Sequence, residues 1–259
     1  MEELWSDWRR QLVRRTRMSV GLAASADVAI LSRMLAQVLH LPTATPGLSL
    51  QQTPIVISYP ALYGLYQEAI SDAAIHLGVH LLPSSGPQFF YQPRNVVAAY
   101  AGHGLGLCKN YKDEKACGQE GSDMPVRDVL LVEYTEHALL LHASLMREAH
   151  DLASRDINVA ADFTLGKHPE SWGGVATRIG QAVRQLLQSK YKYSGPPKKI
   201  VAVVTGSGAG EMVVEAVRES ISTFGAEPEV LETEREYVAA RGAAEMAWRS
   251  IERGDGTEL

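Results

Sequence analysis

The run Ile200-Val201-Ala202-Val203-Val204 leads straight into Thr205-Gly206-Ser207-Gly208-Ala209-Gly210, and Glu211 to Phe224 follows with helical spacing. A continuous apolar, β-branched run reads as a strand covered on both faces. Glycines at its end let the backbone approach a neighbour or a ligand closely. The helix after them presents free N–H groups and the positive end of its dipole. Strand, Gly-rich turn and helix together indicate an α/β fold.

The same alternation continues on both sides. Val175 to Leu187 is an amphipathic helix, and SGPPKK turns it into the strand at 200. Val230-Leu231 reads as a short strand, with a last helix from about Tyr237 to Ile251. In that helix Ala239, Ala240, Gly242, Ala243, Ala244 and Ala247 form a face of small side chains, suited to dense packing. Val129 to Val132 and Ala138 to Leu145 read as two strands joined by a tight turn at Tyr134 to His137. The stretch Arg147 to Gly174 is polar and weakly patterned.

Nearer the start, Leu4, Trp5, Trp8, Leu12 and Val13 recur at helical spacing among Arg9, Arg10, Arg14, Arg15 and Arg17. This is a basic amphipathic helix over 1–19, read as a solvated first helix, with a membrane surface or a protein partner as the alternatives. Asp27 is the expected cap of a second helix through Leu39. Leu41 to Pro54 reads as a loop. Ile55 to Tyr59 and Val79 to Leu82 read as buried strands around a helix from Leu62 to Leu77, with Gly78 ending it. Asn95 to Gly102 is a small-residue helix, and Gly102 to Pro125 is read as a surface loop or hairpin.

Composition excludes several functions. The chain has 259 residues, 46% hydrophobic and 21% charged, enough to bury a core. Lys+Arg is 25 against Asp+Glu 30, a net charge of −5, which argues against nucleic acid as partner. No apolar run approaches the roughly 20 residues of a membrane span, and MEELWSDWRR lacks a secretory layout. A cytoplasmic protein is expected. Cys108 and Cys117 are nine positions apart. They form either a disulfide or two thiols, and a reducing compartment favours two free thiols.

The histidines and the hydroxyls suggest no metal or hydrolase site. His137 and His142 point to opposite faces of a strand, and Gly78 interrupts the pair His76 and His80. No His follows Ser207, so a nucleophile-elbow triad in the usual chain order lacks its base. No metal ligand set is predicted. Thr205 to Gly210 is neither a P-loop nor a GxGxxG fingerprint. Both a plain turn and a nucleotide contact by Gly206, Ser207, Gly208 and Gly210 stay open.

In collinear order over roughly Asp27 to Arg253, five segments resemble the actin-like ATPases, and DnaK-type heat-shock chaperones in particular. IVAVVTGSGAGEMVVEAVRES with EREYVAARGAAEMA resembles the adenosine strand, turn and closing helix. IVISYPALYGLYQEAISDAAIHLGV and YQPRNVVAAYAGHGLG resemble the segments around the first hinge. VLLVEYTEHALLLHASL resembles the second phosphate hairpin, and VATRIGQAVRQLLQ the helix before the adenosine strand. The resemblance implies an actin-like ATPase fold of two ribonuclease-H-like halves, the first incomplete over 20–125 and the second over 126–259. It also implies ATP or ADP as ligand with Mg²⁺.

The departures shape the functional expectation. Nothing in Met1 to Leu50 resembles the family's first phosphate hairpin. In the second hairpin the acid survives as Glu133, the one candidate catalytic residue, while three glycines become Thr135, Glu136 and His137. In the hinge segment the family's Glu is Gln92 and its Thr is Arg94; the ring-stacking Arg falls on Gly210. The expected function is therefore a weak nucleotide-binding or non-catalytic interaction module with a degraded phosphate site. The alternatives are an active ATPase, and a structural partner-binding domain that ignores nucleotide.

Overall fold

The computed structural model describes residues 7–40, 55–82, 92–149, 158–166 and 174–253. The chain divides into two units, one formed by residues 1–57 and 64–92 and the other by 58–63 and 93–259.

In the first unit, α1 (Trp8–Ser19) and α2 (Ala26–His40) accompany α3 (Gln67–His76). Asp7 caps α1 by accepting from the Arg9 and Arg10 amides. Ser25, not Asp27 as expected, caps α2: its hydroxyl accepts from Val28 N–H, and Asp27 sits in the first turn beside the helix dipole. The small core here is Ala23, Ala24, Val28 and Ala73. Ile55 and Leu81 form a single bridge, not the two full strands expected. Helix α3 begins at Gln67, five residues later than the periodicity from Leu62 implies. Gly78 follows it at φ +66°, so His80 lies off the helix that carries His76. Leu4, Trp5 and the whole expected loop 41–54 are outside the described residues.

The second unit carries a five-stranded mixed sheet. Its strands are β1 (Arg127–Tyr134), β2 (Leu139–Met146), β3 (Asn158–Asp162), β4 (Lys199–Thr205) and β5 (Glu227–Leu231), in the order β3-β2-β1-β4-β5. Strands β1, β4 and β5 are parallel, and β2 runs antiparallel to β1 and β3. This one-reversed-strand order is the ribonuclease-H-like arrangement, and the fold class is α/β as the sequence predicts. Strand β3 lies in the stretch with weak sequence patterning: as an edge strand with half-exposed side chains, it needs no apolar face.

Helices α6 (Val175–Lys190) and α7 (Glu211–Phe224) cover one face of the sheet. Ile179, Val183, Val213, Val217 and Ile221 pack there on Leu130, Val132, Ile200, Ala202 and Val204. The other face takes α4 (Asn95–Gly102), which crosses α8 (Val238–Arg253). A Cβ on Gly242 would fall 1.8 Å from the Ala98 carbonyl oxygen, so the small-residue face does serve a close helix crossing. Covered on both sides, β1 and β4 have the apolar runs that such burial demands.

Two expectations for residues 102–125 are corrected. The segment contains α5 (Glu114–Asp123), capped by Asp113, which accepts from Ala116 N–H. Helix formation brings Cys117 to 5.3 Å, Cα to Cα, from Cys108, and the two form a disulfide rather than two free thiols.

Candidate functional site

The C-terminal ends of β1 and β4 lie side by side, with Glu133 in register with Thr205. This places the two predicted elements, the acidic strand end and the Gly-rich turn, at one edge of the sheet. Thr205 is buried, and the chain leaves the sheet at Gly206 with φ +104°.

The turn is anchored on Tyr134. Gly208 N–H donates to the Tyr134 carbonyl oxygen at 2.9 Å, Gly206 N–H to that of Arg235 at 3.0 Å, and Ala209 N–H to Gly206 oxygen at 3.1 Å. A Cβ on Gly208 would come within 2.9 Å of the Tyr134 ring. Gly210 is extended, opens α7, and accepts from the Val213 and Val214 amides. The glycines thus act through close packing, and two of their amides are already engaged.

Beside the turn is an open pocket of about 370 Å³, lined by Gly206, Ser207, Ala209, Glu232, Glu234, Arg235, Glu236 and Tyr237. Of the four predicted contact residues, Gly206 and Ser207 line it, while Gly208 and Gly210 lie outside its lining. Arg235 is held in place: its Nη1 donates to the Ala209 carbonyl oxygen at 2.9 Å, and it pairs with Glu232. Tyr237, 68% exposed, is among the lining residues. Sequence reasoning did not single out Arg235 or Tyr237 as site residues, taking Tyr237 as the start of the last helix and EREYVAARGAAEMA as a resemblance to a closing helix. The signal was an Arg and a Tyr interleaved with three Glu just before a helix.

Glu133 is half-buried and hydrogen-bonded. Its Oε2 accepts from Asn95 Nδ2 at 2.9 Å, which ties the strand end to the first residue of α4. Burial raises its pKa, and the Asn95 hydrogen bond partly offsets that rise. Gln92, at the family's Glu position, is buried and accepts from Ile57 N–H at 2.6 Å.

The bend after β1 is closed internally. Thr135 Oγ1 accepts from the amides of His137 and Ala138, both at 3.2 Å, and Thr135 N–H donates to Ala138 oxygen at 2.9 Å. A Cβ on Gly166 would meet the Glu136 carbonyl oxygen at 2.2 Å, so backbone is packed against the bend. The Glu136 and His137 side chains are exposed. Among the described residues, no group of three or more His, Cys, Asp or Glu is placed to hold a metal ion, and no helix is long and apolar enough to cross a membrane.

The candidate partner surface on α1 is only partly open. Gln11 donates to Glu68 at 2.7 Å, Arg10 pairs with Glu68 at 2.8 Å, and Arg14 Nε donates to Asp72 at 2.6 Å. Glu68 and Asp72 are both buried. Trp8, Leu12 and Val13 face outward, with Arg9 and Arg15 exposed beside them.

No family model matches the chain, and no curated protein matches it. Solved structures are similar in fold. A PilM–PilN type IV pilus biogenesis complex matches at 13% identity and a TM-score of 0.38, over 84% of this chain and 73% of that one. An archaeal actin homolog matches at 12% and 0.46, over 83% and 75%. The ethanolamine utilization protein EutJ from Carboxydothermus hydrogenoformans matches at 14% and 0.42, over 84% and 72%. The likeness concerns fold and says nothing of ligand or partner.

Proposed function

We propose that this chain is a DnaK-like, actin-like ATPase-domain protein with a degraded phosphate site, acting as a weak nucleotide-binding or non-catalytic interaction module. In this reading 126–259 is the second ribonuclease-H-like half and 20–125 an incomplete first half. The observation that carries it is the internal use of backbone donors where phosphates would need them. Thr135 takes the bend amides of His137 and Ala138. At the adenosine-type turn, away from the phosphate hairpin, Gly206 and Gly208 likewise donate to carbonyls of Arg235 and Tyr134. Phosphoryl transfer relies on such donors around the phosphates and on a held Mg²⁺. Glu136 on the bend adds charge of the wrong sign for a triphosphate.

The pocket at Gly206 suits the nucleoside end better. Its volume falls within the small-ligand range, and Tyr237 is an exposed aromatic among its lining residues. Carboxylates lining it suit ribose hydroxyls and disfavour a phosphate tail. Weak binding of adenosine or ADP, with little dependence on Mg²⁺, is expected. Thermal shift with adenosine, ADP and Mg-ATP is the test; no shift with any of them defeats the nucleotide reading.

A second reading, a partner-binding role for α1, is favoured by the outward Trp8, Leu12 and Val13. Deleting the helix is a poor test, because it strips Glu68 and Asp72 of their partners. Trp8→Ala with Leu12→Ser leaves those pairs intact. Undiminished capture of a bound protein by the double variant would rule this reading out.

A further inference from the structure

Between Trp8 and Ser19, α1 carries Arg9, Arg10, Arg14, Arg15 and Arg17 and no Asp or Glu. Its roll is set by polar contacts, not by an apolar face. Gln11 and Arg10 hold Glu68, Arg14 holds Asp72, and Arg17 Nε donates to the Ala23 carbonyl oxygen at 2.8 Å. Both acids are buried on α3. Rolling α1 over would leave two buried carboxylates without partners, which is costly. The helix is therefore held with its apolar side toward solvent.

That side is large. Trp8, Leu12 and Val13, with Val20 and Leu22 just past the helix, are each more than half exposed. On α2, Ile30, Met34 and Val38 make a second exposed row at i, i+4 and i+8. The core beneath is built mainly from alanine: Ala23, Ala24 and Ala73 with Val28. An ordinary surface helix does the reverse, and an exposed apolar face of this kind marks a contact surface.

The charges beside the face are basic. Arg9 and Arg15 on α1 and Arg33 on α2 are exposed, and none of them makes an ion pair among the described residues. The Arg9 guanidinium lies 5.4 Å from the centre of the Trp8 ring. Two acids are near in sequence. Asp7 is engaged by the Arg9 and Arg10 amides, and Asp27 sits in the first turn of α2, at the positive end of its dipole. In a chain of net charge −5, this local basic excess matches a negative surface. Trp and Arg around an aliphatic face are the composition of helices that lie in a bilayer interface.

We infer that the outer face of α1 docks on an anionic lipid bilayer. Trp8, Leu12 and Val13 enter the headgroup boundary, and Arg9 and Arg15 meet acidic headgroups. Twelve residues are too few to span a bilayer, so the helix lies along it. The inference rests on the reading above in which α1 meets a partner, and names that partner as a lipid surface.

Sedimentation of the full chain with vesicles of phosphatidylcholine alone, and with about 30 mol% phosphatidylserine added, tests this. Each arginine beside an anionic surface strengthens binding about fivefold, so Arg9 and Arg15 together favour the serine-containing vesicles by about 25-fold. Arg9→Gln with Arg15→Gln removes that preference, and Trp8→Ala with Leu12→Ser removes binding to both vesicles. Neither variant touches the partners of Glu68 or Asp72. Raising sodium chloride from about 0.1 to 0.5 M weakens wild-type binding. Equal binding of wild type to both vesicles, or binding to neither, overturns the docking. Wild-type binding that ignores salt does so too, and decides the matter should a variant fail to fold. Capture of a protein through Trp8 and Leu12 by a chain that binds neither vesicle overturns the lipid surface while the partner reading stands.

Discussion

A Cβ placed on Gly206 would lie 2.3 Å from the carbonyl oxygen of Tyr134, so the Gly-rich turn rests directly on the end of the neighbouring strand. This contact makes the turn a fixed extension of the sheet rather than a loop waiting for a ligand.

Gly206→Ala is therefore expected to destabilise the protein. The residue has φ +104°, and an L side chain there costs about 1–2 kcal/mol before any clash. Gly210→Ala is the internal control, since Gly210 is extended and nothing lies within 4 Å of an added Cβ. It should stay within about 0.5 kcal/mol of wild type. Urea denaturation compares the two; equal midpoints would break the packing argument.

The α4–α8 crossing gives a second contrast. Gly242→Ala forces the helices apart at the Ala98 carbonyl oxygen, with an expected cost of about 1–3 kcal/mol. Gly118→Ala in α5 meets open space and should stabilise by about 0.5–1 kcal/mol through helix propensity. Thermal melts of both variants check the opposite signs.

His142 makes stability depend on pH. Its folded pKa is lowered to about 3 against 6.5 for the free side chain, first by burial. Between those values the unfolded chain takes up a proton that the folded chain refuses, so stability falls as pH drops below about 6.5. The His142 contribution to that slope reaches at most about 1.4 kcal/mol per pH unit. His142→Leu should flatten the chemical-denaturation profile between about pH 6.5 and 4; an unchanged slope would place a solvated ring at this position.

The disulfide closes a loop with sequence separation 9. Its loss should cost about 2–3 kcal/mol by the chain-entropy argument. The loop also holds the end of α8: Lys112 pairs with Glu252, and the Arg249 guanidinium lies 4.9 Å from the centre of the Tyr111 ring. Hydrogen exchange after reduction by a dithiol should quicken first at the C-terminal turn of α8, and uniform quickening would contradict the clasp.

Glu133 and Gly206 belong to segments that the sequence marks by type, an acid at a strand end and a glycine after an apolar run. Their local elements, β1, β2, β4, α6 and α7, are readable because two-sided or one-sided burial leaves a periodic trace in the residues themselves. The Asn95–Glu133 hydrogen bond has no such trace. It joins positions 38 apart, and only the stacking of α4 on the sheet selects that pair.

The linear order of residues determined the α/β class, the strand-turn-helix at 200–224 and the small-residue helices, all consequences of side-chain periodicity and glycine's freedom. Which donors remain for a ligand was decided only in three dimensions. Thr135 turns back on its own bend, Gly208 reaches Tyr134, and Cys117 meets Cys108 once α5 forms. Hydrogen bonds and disulfides depend on distances of a few ångströms, and those distances are set by how elements pack rather than by their spacing along the chain.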